Sequence, residues 1–273
     1  MKSSSGRILA YVWLALCSLF FIFPILWMFI QSFKRPIDFS VFPPKIIFNP
    51  TLTNYVAVLS NIRFLYAFRD SLIVTGIGVG LGLLFGIPFA YALARYNFRG
   101  KNDVAHFILS TKMLPAAVVI VPLAQTFSVL GLLDSYIGLG IAHVLLVLAV
   151  IVWVLRSFLQ GLPPDLEEAG IIDGASHARI MRELVLPLAK PGIFTVAALA
   201  FLFSWNDLFF VLTLTSFNVQ TLPAFLVTEY TGYLSINWGE MSAAGIISIA
   251  PIAIIVILLR KNIVRGLSMG AVK

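Results

Sequence analysis

Six long runs of apolar residues divide the chain, and each is long enough to cross a lipid bilayer as a helix. A hydrocarbon core about 30 Å thick needs about 20 apolar residues, because a helix rises about 1.5 Å per residue. The predicted spans cover residues 8–30, 71–94, 104–129, 136–155, 192–214 and 243–259. The pattern predicts an all-α membrane protein with six transmembrane helices, in a single transmembrane domain over residues 1–273.

The third predicted span departs from a clean apolar run. Lys112, Pro115 and Pro122 lie within it. Because proline removes a backbone donor and clashes with the preceding turn, we expect this span to be kinked, or broken and covered by neighbouring helices. We expect Lys112 to extend its amine toward the cytoplasmic side rather than to contact the solute.

The second predicted span carries a stripe of glycines. Gly78, Gly82 and Gly86 are four residues apart and so share one helix face. Small residues at this spacing are typical of close helix packing in membranes. A dinucleotide-binding loop would need a preceding strand, which this apolar run does not offer.

Basic residues favour one orientation of the spans. Of the nineteen lysines and arginines, those at 95–101, 156–190 and 260–273, together with Lys2 and Arg7, face the same side in a six-span chain. The opposite side receives five, all in the first long loop between 31 and 70. Since basic residues accumulate on the cytoplasmic side, the bias predicts that both termini are cytoplasmic.

Composition excludes several function classes. The chain is 60% hydrophobic and only 11% charged, so its net charge of +7 indicates membrane topology rather than nucleic-acid binding. A single cysteine, Cys17, excludes an intrachain disulfide. There is no phosphate-binding G-x-x-x-x-G-K-[ST] loop, no paired catalytic acids and no His/Cys cluster, so we predict no catalytic residue, no metal site and no cofactor in this chain.

The segment between the fourth and fifth predicted spans, residues 163–190, is more than a spacer. Two prolines followed by acidic residues are typical of a helix start, Gly174 allows a turn, and Pro187 is expected to close a second short helix. Each short helix carries one apolar stripe. A stripe on a water-facing segment needs a partner surface, in this chain or in another protein.

This segment resembles a signature of the membrane subunits of bacterial ATP-binding-cassette importers. The signature reads E-A-A, three residues, G, nine residues and I-x-L-P. Gly170 and Leu184 differ from it in identity, but every spacing fits. The resemblance implies that the segment docks on an ATPase through Glu168, Ala169, Gly170, Asp173, Gly174, Leu184 and Pro187.

The resemblance extends over nearly the whole chain and is to the sugar-importer branch, specifically the shorter permease of maltose-type systems. Residues 32–34, 203–207 and 266–273 carry it beyond the docking signature. It implies the type I importer permease fold, in the bacterial cytoplasmic (inner) membrane. It also implies a second, homologous permease, two ATPase subunits that bind ATP and Mg²⁺, and an extracytoplasmic solute-binding protein. The C-terminal Gly266, Leu267, Gly270 and Lys273 would contact the ATPases, although two glycines argue against a helix there.

A polar cluster in the fifth predicted span is the candidate substrate pathway. Trp205, Asn206 and Asp207 combine an aromatic face with amide and carboxylate groups, which suits a sugar ring. A charge inside a bilayer costs about 2.5 to 3.5 kcal/mol, so Asp207 should face protein or water. The alternative is equally open: Trp205 anchors the helix at the interface, and Asp207 serves helix packing or ends the span.

Two other functions compete with sugar import. An importer for a polyamine or a phosphonate would share the docking segment and differ in its cavity. A secondary transporter or a membrane enzyme would need paired buried acids or histidines, or two similar halves, which the sequence does not display.

Overall fold

The computed structural model describes residues 4–41, 43, 45–230 and 236–271, of which 4, 5, 7 and 261–271 are described by their backbone alone. Within these residues the chain is almost entirely helical and contains no strand. The α-helices, in chain order, are α1 (Ser4–Gln31), α2 (Pro36–Phe39), α3 (Thr53–Ser60), α4 (Ile62–Arg95), α5 (Lys101–Ser110), α6 (Ala116–Val129), α7 (Tyr136–Gln160), α8 (Asp165–Ile172), α9 (His177–Ile180), α10 (Leu186–Trp205), α11 (Phe209–Leu214), α12 (Leu222–Tyr230) and α13 (Trp238–Ala271).

The long apolar helices correspond to the six predicted spans, and the fifth differs from the prediction at its far end. In the part of the chain that is described, five helical stretches are long and apolar enough to cross a bilayer, and the bent pair α5–α6 supplies a sixth if it forms one broken span. The pair bends by 97°. The bend lies at Leu114, whose backbone is extended immediately before Pro115, so the predicted break in the third span is confirmed.

The fifth predicted span is shorter at its far end than expected. It was predicted as continuous to Leu214, but α10 ends at Trp205 and α11 begins at Phe209. Asn206 lies at the end of α10, where the Leu202 carbonyl oxygen accepts from its side-chain Nδ2 at 2.8 Å and from its backbone N–H at 3.3 Å. The polar cluster therefore lies at a helix break.

The described residues form two compact units, Met1–Leu65 with Phe225–Ala250, and Tyr66–Ala224 with Pro251–Lys273. In the first unit, the Asn54 amide donates to the carbonyl oxygens of Ser32 and Lys34, each at 2.8 Å, and Phe64 packs edge-on against Phe225. The second unit contains the docking segment and the polar cluster. Its main core is built from α4, α7, α10 and the helices of the docking segment.

The glycine stripe of α4 makes the close helix packing that its spacing predicts, and the helix it packs against is α7. A Cβ atom on Gly78, Gly82 or Gly86 would come within 2.7 Å of a side-chain atom of α7. Overpacking of this kind costs about 1 to 3 kcal/mol, so these positions set how closely the two helices approach. They bring α4 against the part of α7 that carries His143.

Candidate functional site

The docking segment, residues 163–190, consists of α8, a glycine turn and a helix that runs into the membrane. Gly174 has a φ of +79°, and the Ala175 N–H donates to the Gly170 carbonyl oxygen at 3.0 Å, which is the hydrogen bond of a glycine C-cap. The Ser176 side chain then caps α9 by accepting from the Arg179 N–H at 3.4 Å. Sequence reasoning predicted both the helix start and the turn.

Pro187 does not close the second helix, contrary to the prediction. The chain passes from α9 through a π-helical turn, Met181–Val185, directly into α10, so Pro187 lies in the first turn of a membrane helix. The Leu186 N–H donates to the Met181 carbonyl oxygen across this wider turn. Pro187 has no backbone N–H to donate, and it lies where the π-helical turn passes into the first turn of α10. The docking segment is therefore continuous with α10.

The predicted docking residues divide into an outward and an inward set. The outward set is exposed and consists of Glu168, Ala169, Asp173, Gly174 and Pro187. Beside it, Ile172 is 85% exposed, although isoleucine is normally buried. The inward set is Gly170, which is buried, and Leu184, which is half-buried.

The two departures from the importer signature contact each other. A Cβ atom on Gly170 would lie 3.2 Å from Leu184 Cδ1 and 3.2 Å from Ile180 Cγ1. The missing methyl group at 170 therefore leaves room for the leucine at 184. The paired change keeps α8 packed on the helix that follows it.

A partly buried ion pair joins the docking segment to α4. Arg95 Nε donates to Glu167 Oε1 at 2.6 Å, and the Tyr91 hydroxyl donates to Glu167 Oε2 at 2.7 Å. Arg95 Nη2 also donates to the Leu162 carbonyl oxygen at 3.1 Å. Both charged side chains are about seven-eighths buried, at 14% and 13% exposure. The sequence does not reveal this contact, because Arg95 resembles the other basic residues of the cytoplasmic side and no spacing singles out Glu167.

The polar cluster opens onto a cavity at the break after α10. Asn206 and Asp207 line a cavity of about 600 Å³ together with the apolar residues Leu146, Leu202, Phe203, Leu208 and Phe209. Trp205 packs instead inside the protein, where its ring stacks on Phe201 with centroids 5.2 Å apart and meets Phe68 edge-on at 5.8 Å. The structure therefore brings Asn206 and Asp207 together and gives Trp205 a supporting position behind them.

Asp207 faces a buried histidine that the sequence did not connect with it. His143 Nδ1 lies 2.7 Å from Ser204 Oγ, and His143 Nε2 lies 3.4 Å from Asp207 Oδ2. That second distance exceeds the usual N–H···O range. Both atoms are buried without a hydrogen-bond partner among the described residues. The 61-residue separation of His143 and Ser204 explains why no local motif revealed the cluster.

Lys112 lies at the bend between α5 and α6, and its predicted extension toward the cytoplasm is wrong. Its Nζ donates to the Leu146 carbonyl oxygen of α7 and lies 5.0 Å from the centroid of the Phe203 ring. The bend turns the lysine toward α7 and α10, where a carbonyl oxygen and an aromatic face stabilise its charge.

Asp134 lies just before α7, at the end of that helix opposite the docking segment. It links the connector before α7 to the connector after α11. Its carboxylate accepts from the backbone N–H groups of residues 216–219, at 2.9 to 3.2 Å, and from Asn218 Nδ2 at 3.1 Å. Burial raises the Asp134 pKa, but these backbone donors outweigh it, and the net pKa is below the ordinary 3.8. The connector before α7 and the one after α11 therefore lie on the same side, as alternating spans require.

The proposed ATPase-contacting tail lies largely outside the part that can be described in atomic detail. The backbone of α13 continues to Ala271, so Gly266, Leu267 and Gly270 are helical, although their glycines argued against it. Lys273 and the side chains of this stretch lie outside the described residues.

The sequence matches the protein family described as "Binding-protein-dependent transport system inner membrane component" over residues 78–269. It is 32% identical over 270 residues to the trehalose/maltose transport system permease protein MalG of Thermococcus litoralis, covering 98% of this chain and 97% of that protein. It is 31% identical to the trehalose transport system permease protein SugB of Mycobacterium tuberculosis, covering 92% of each.

The fold matches solved membrane transporters. A chain of a bacterial ABC transporter involved in the import of the acidic polysaccharide alginate superposes with a TM-score of 0.80, at 24% identity, over 96% of this chain and 98% of that one. A chain of the MetNI methionine ABC transporter, in an inward-facing conformation, gives a TM-score of 0.61 at 17% identity, over 76% of this chain and 99% of that one.

Proposed function

This chain belongs to the family of binding-protein-dependent transport system inner membrane components, and from that membership we propose that it is the permease of an ATP-driven importer for a sugar or polyol. The whole chain serves as one permease domain in the cytoplasmic membrane. It performs no covalent chemistry, and ATP and Mg²⁺ bind to partner ATPase subunits. The names of its relatives, which include trehalose, maltose, diacetylchitobiose and arabinooligosaccharide permeases, support a carbohydrate solute.

The observation that carries this proposal is the exposed face of the docking segment. Glu168, Ala169 and Gly174 present a short helix, a small side chain and a tight turn to the outside, beside the exposed Ile172. Such a surface fits a groove on an ATPase subunit, with Glu168 facing basic or hydrogen-bonding groups. Closure of two ATPases on ATP would move the segment as a rigid body and switch the permease between inward- and outward-facing states.

The solute path runs along the cavity at the helix break. Asn206 and Asp207 supply an amide and a carboxylate that can hydrogen-bond hydroxyl groups, while Phe203 and Phe209 supply apolar surface to the same cavity. Trp205 supports the break from behind. A homologous permease subunit completes the path on its open side, and a solute-binding protein delivers the solute from outside.

Transport assays on the assembled complex test the proposal. The chain is co-expressed with its partner permease, ATPase and solute-binding protein, reconstituted in proteoliposomes, and offered radiolabelled trehalose, maltose, diacetylchitobiose and arabinooligosaccharide beside spermidine and a phosphonate. We expect ATP-dependent uptake of a sugar. Uptake of spermidine or the phosphonate alone would indicate the other importer class, and gradient-driven uptake without ATPase would indicate a secondary transporter.

Orientation is tested by labelling single cysteines in a Cys17→Ser background. Ile172 and Phe217 make a matched pair because both are strongly exposed, at 85% and 95%, and are on opposite sides in the proposed topology. With cytoplasmic termini, a membrane-impermeant maleimide should label Phe217→Cys in intact spheroplasts and Ile172→Cys only after the membrane is opened. The reverse pattern would contradict the orientation.

A further inference from the structure

Besides apolar packing, two features connect the docking segment to the membrane helices of its unit. One is covalent, because the helical stretch from His177 to Trp205 continues from the segment into the membrane. The other is polar, because Glu167 on α8 accepts hydrogen bonds from Arg95 and Tyr91 near the end of α4. A force applied to the segment therefore has a route to two spans.

Glu167 and Glu168 are neighbours in sequence but face different ways. Successive residues of a helix point about 100° apart. Glu168 is exposed, whereas the Glu167 side chain is 13% exposed and faces α4. The acid of the importer signature is thus free for a partner, while the acid before it is already satisfied within the chain.

The hydrogen bonds accepted by the Glu167 carboxylate are charge-assisted. Both carboxylate oxygens are used, one by the Arg95 guanidinium and one by the Tyr91 hydroxyl, and Arg95 also binds the Leu162 carbonyl oxygen just before α8. Charge-assisted hydrogen bonds are roughly twice as strong as neutral ones. Removing one partner of such a buried pair leaves the other charge uncompensated. A contact of this strength keeps its geometry when the segment is pushed.

We propose that Glu167 is a positioning residue that ties α8 to α4 through Arg95 and Tyr91, so that the docking segment and the end of α4 move as one body when the ATPases close. The inference rests on the proposed docking function. It adds that α4, and not only α10, receives the movement directly. Because α4 packs on α7 through its glycine stripe, the movement then reaches the helix that carries His143.

Distance measurements between two spin labels test the tie without requiring a known solute. Labels are placed on Asn97→Cys and Ile172→Cys, both exposed, in the Cys17→Ser chain within the complete complex, and measured by double electron–electron resonance. In the wild-type background we expect one narrow distance peak that is the same without nucleotide and in the ATP- and vanadate-trapped state. With Glu167→Gln or Tyr91→Phe we expect that peak to broaden, most clearly in the trapped state.

The exposed ion pair Arg179–Glu183 supplies the matched control. Its Nε–Oε2 distance is 2.9 Å, it lies on the same segment, and its side chains are 65% and 45% exposed. Glu183→Gln should leave the peak narrow. The exchanged pair Arg95→Glu with Glu167→Arg should restore part of the narrow peak that either single change loses. If Glu167 served only to stabilise the fold, its substitution would lower the abundance of the protein, but the molecules that do fold would keep the narrow distance peak.

Two failures are distinguishable. If the wild-type peak is narrow and Glu167→Gln and Tyr91→Phe leave it unchanged in both states, the tie is wrong even though docking stands. If ATPase subunits do not copurify with the wild-type chain, docking is wrong, and the nucleotide-free chain still reports whether Glu167 holds α8 on α4. A fall of about tenfold in binding-protein-stimulated ATP hydrolysis in Glu167→Gln, with normal assembly, would support the tie in function.

Discussion

Glu167 and Asp207 are two acidic side chains of similar burial in opposite situations. Glu167 is 13% exposed and has both oxygens hydrogen-bonded at 2.6 and 2.7 Å. Asp207 is 8% exposed, its Oδ2 lacks a hydrogen-bond partner among the described residues, and the nearest cation-forming group, His143 Nε2, lies 3.4 Å away. One carboxylate is satisfied within the chain, and the other is not.

This contrast suits the two acids to different tasks, Glu167 to force transmission and Asp207 to solute handling. A satisfied buried carboxylate holds one geometry, because any displacement breaks strong bonds. An unsatisfied one is costly in the absence of a partner and gains most when a hydroxyl or a protonated histidine approaches. The region around Glu167 is therefore suited to transmitting movement, and the region around Asp207 is suited to responding to a solute.

Breaking the docking region should have the largest effect. Gly174→Val places a β-branched residue at a φ of +79°, which costs about 1 to 2 kcal/mol and distorts the turn presented to the ATPase. We expect about a hundredfold loss of uptake with normal solute binding, equivalent to about 2.7 kcal/mol.

Gly131→Val is the control for that change. Gly131 has a φ of +66° and equally open surroundings but lies outside the docking segment. The Gly131→Val variant should keep most of its uptake, although its backbone strain is similar to that of Gly174→Val. Equal losses in both variants, measured at equal membrane abundance, would contradict the assignment.

Neutralising Asp207 should have the next largest effect. Asp207→Asn keeps the shape and removes charge-assisted bonds, so we expect the KM for the transported sugar to rise about tenfold, or about 1.4 kcal/mol. His143→Gln should raise KM less, because it removes only the group beside Oδ2. Thermal unfolding of the purified chain separates this from a packing role, since packing would lower stability in step with uptake.

The hydrogen bonds between Asp134 and the backbone of residues 216–219 should affect stability rather than transport. The lowered pKa of Asp134 means that its contribution is complete above the ordinary value of 3.8 and is lost as pH falls through the lower folded pKa. Asp134→Asn keeps the left-handed backbone, which asparagine tolerates, but turns an NH₂ group toward N–H donors. We expect a loss of about 1 to 1.5 kcal/mol at pH 7 that shrinks below about pH 4, measured by thermal unfolding in detergent. A pH-independent loss would refute the charge argument.

Restoring the signature at Gly170 should have the smallest effect. Gly170→Ala alone crowds Leu184 at 3.2 Å and should cost less than about 1 kcal/mol. Adding Leu184→Ile should recover it. If the double variant is less stable than the single one, the two positions do not compensate each other.

Features that depend on a local sequence pattern could be predicted from the sequence. Apolar runs placed the membrane helices, Pro115 placed the bend, and the signature spacing located Gly174 in its left-handed turn. The glycine stripe indicated that α4 packs closely on another helix, and the structure identifies that helix as α7.

What sequence reasoning missed depends on distant partners. Glu167 and Arg95 are 72 residues apart, and His143 and Ser204 are 61 apart, so no window of sequence relates them. The break at Asn206 was hidden because apolar residues continue on both sides of it. Pro187 suggested a helix end, but the π-helical turn before it leads directly into α10, so the helix continues through the proline.

The decisive measurement compares Glu167→Gln and Asp207→Asn in one reconstituted complex, using the sugar that the wild type imports. Initial uptake rates over a range of sugar concentrations are measured together with ATP hydrolysis. We expect Glu167→Gln to lower the sugar imported per ATP at unchanged KM, and Asp207→Asn to raise KM at unchanged sugar per ATP. Two variants with the same kinetic defect, or a reversal of the two defects, would contradict the separation of force transmission from solute handling.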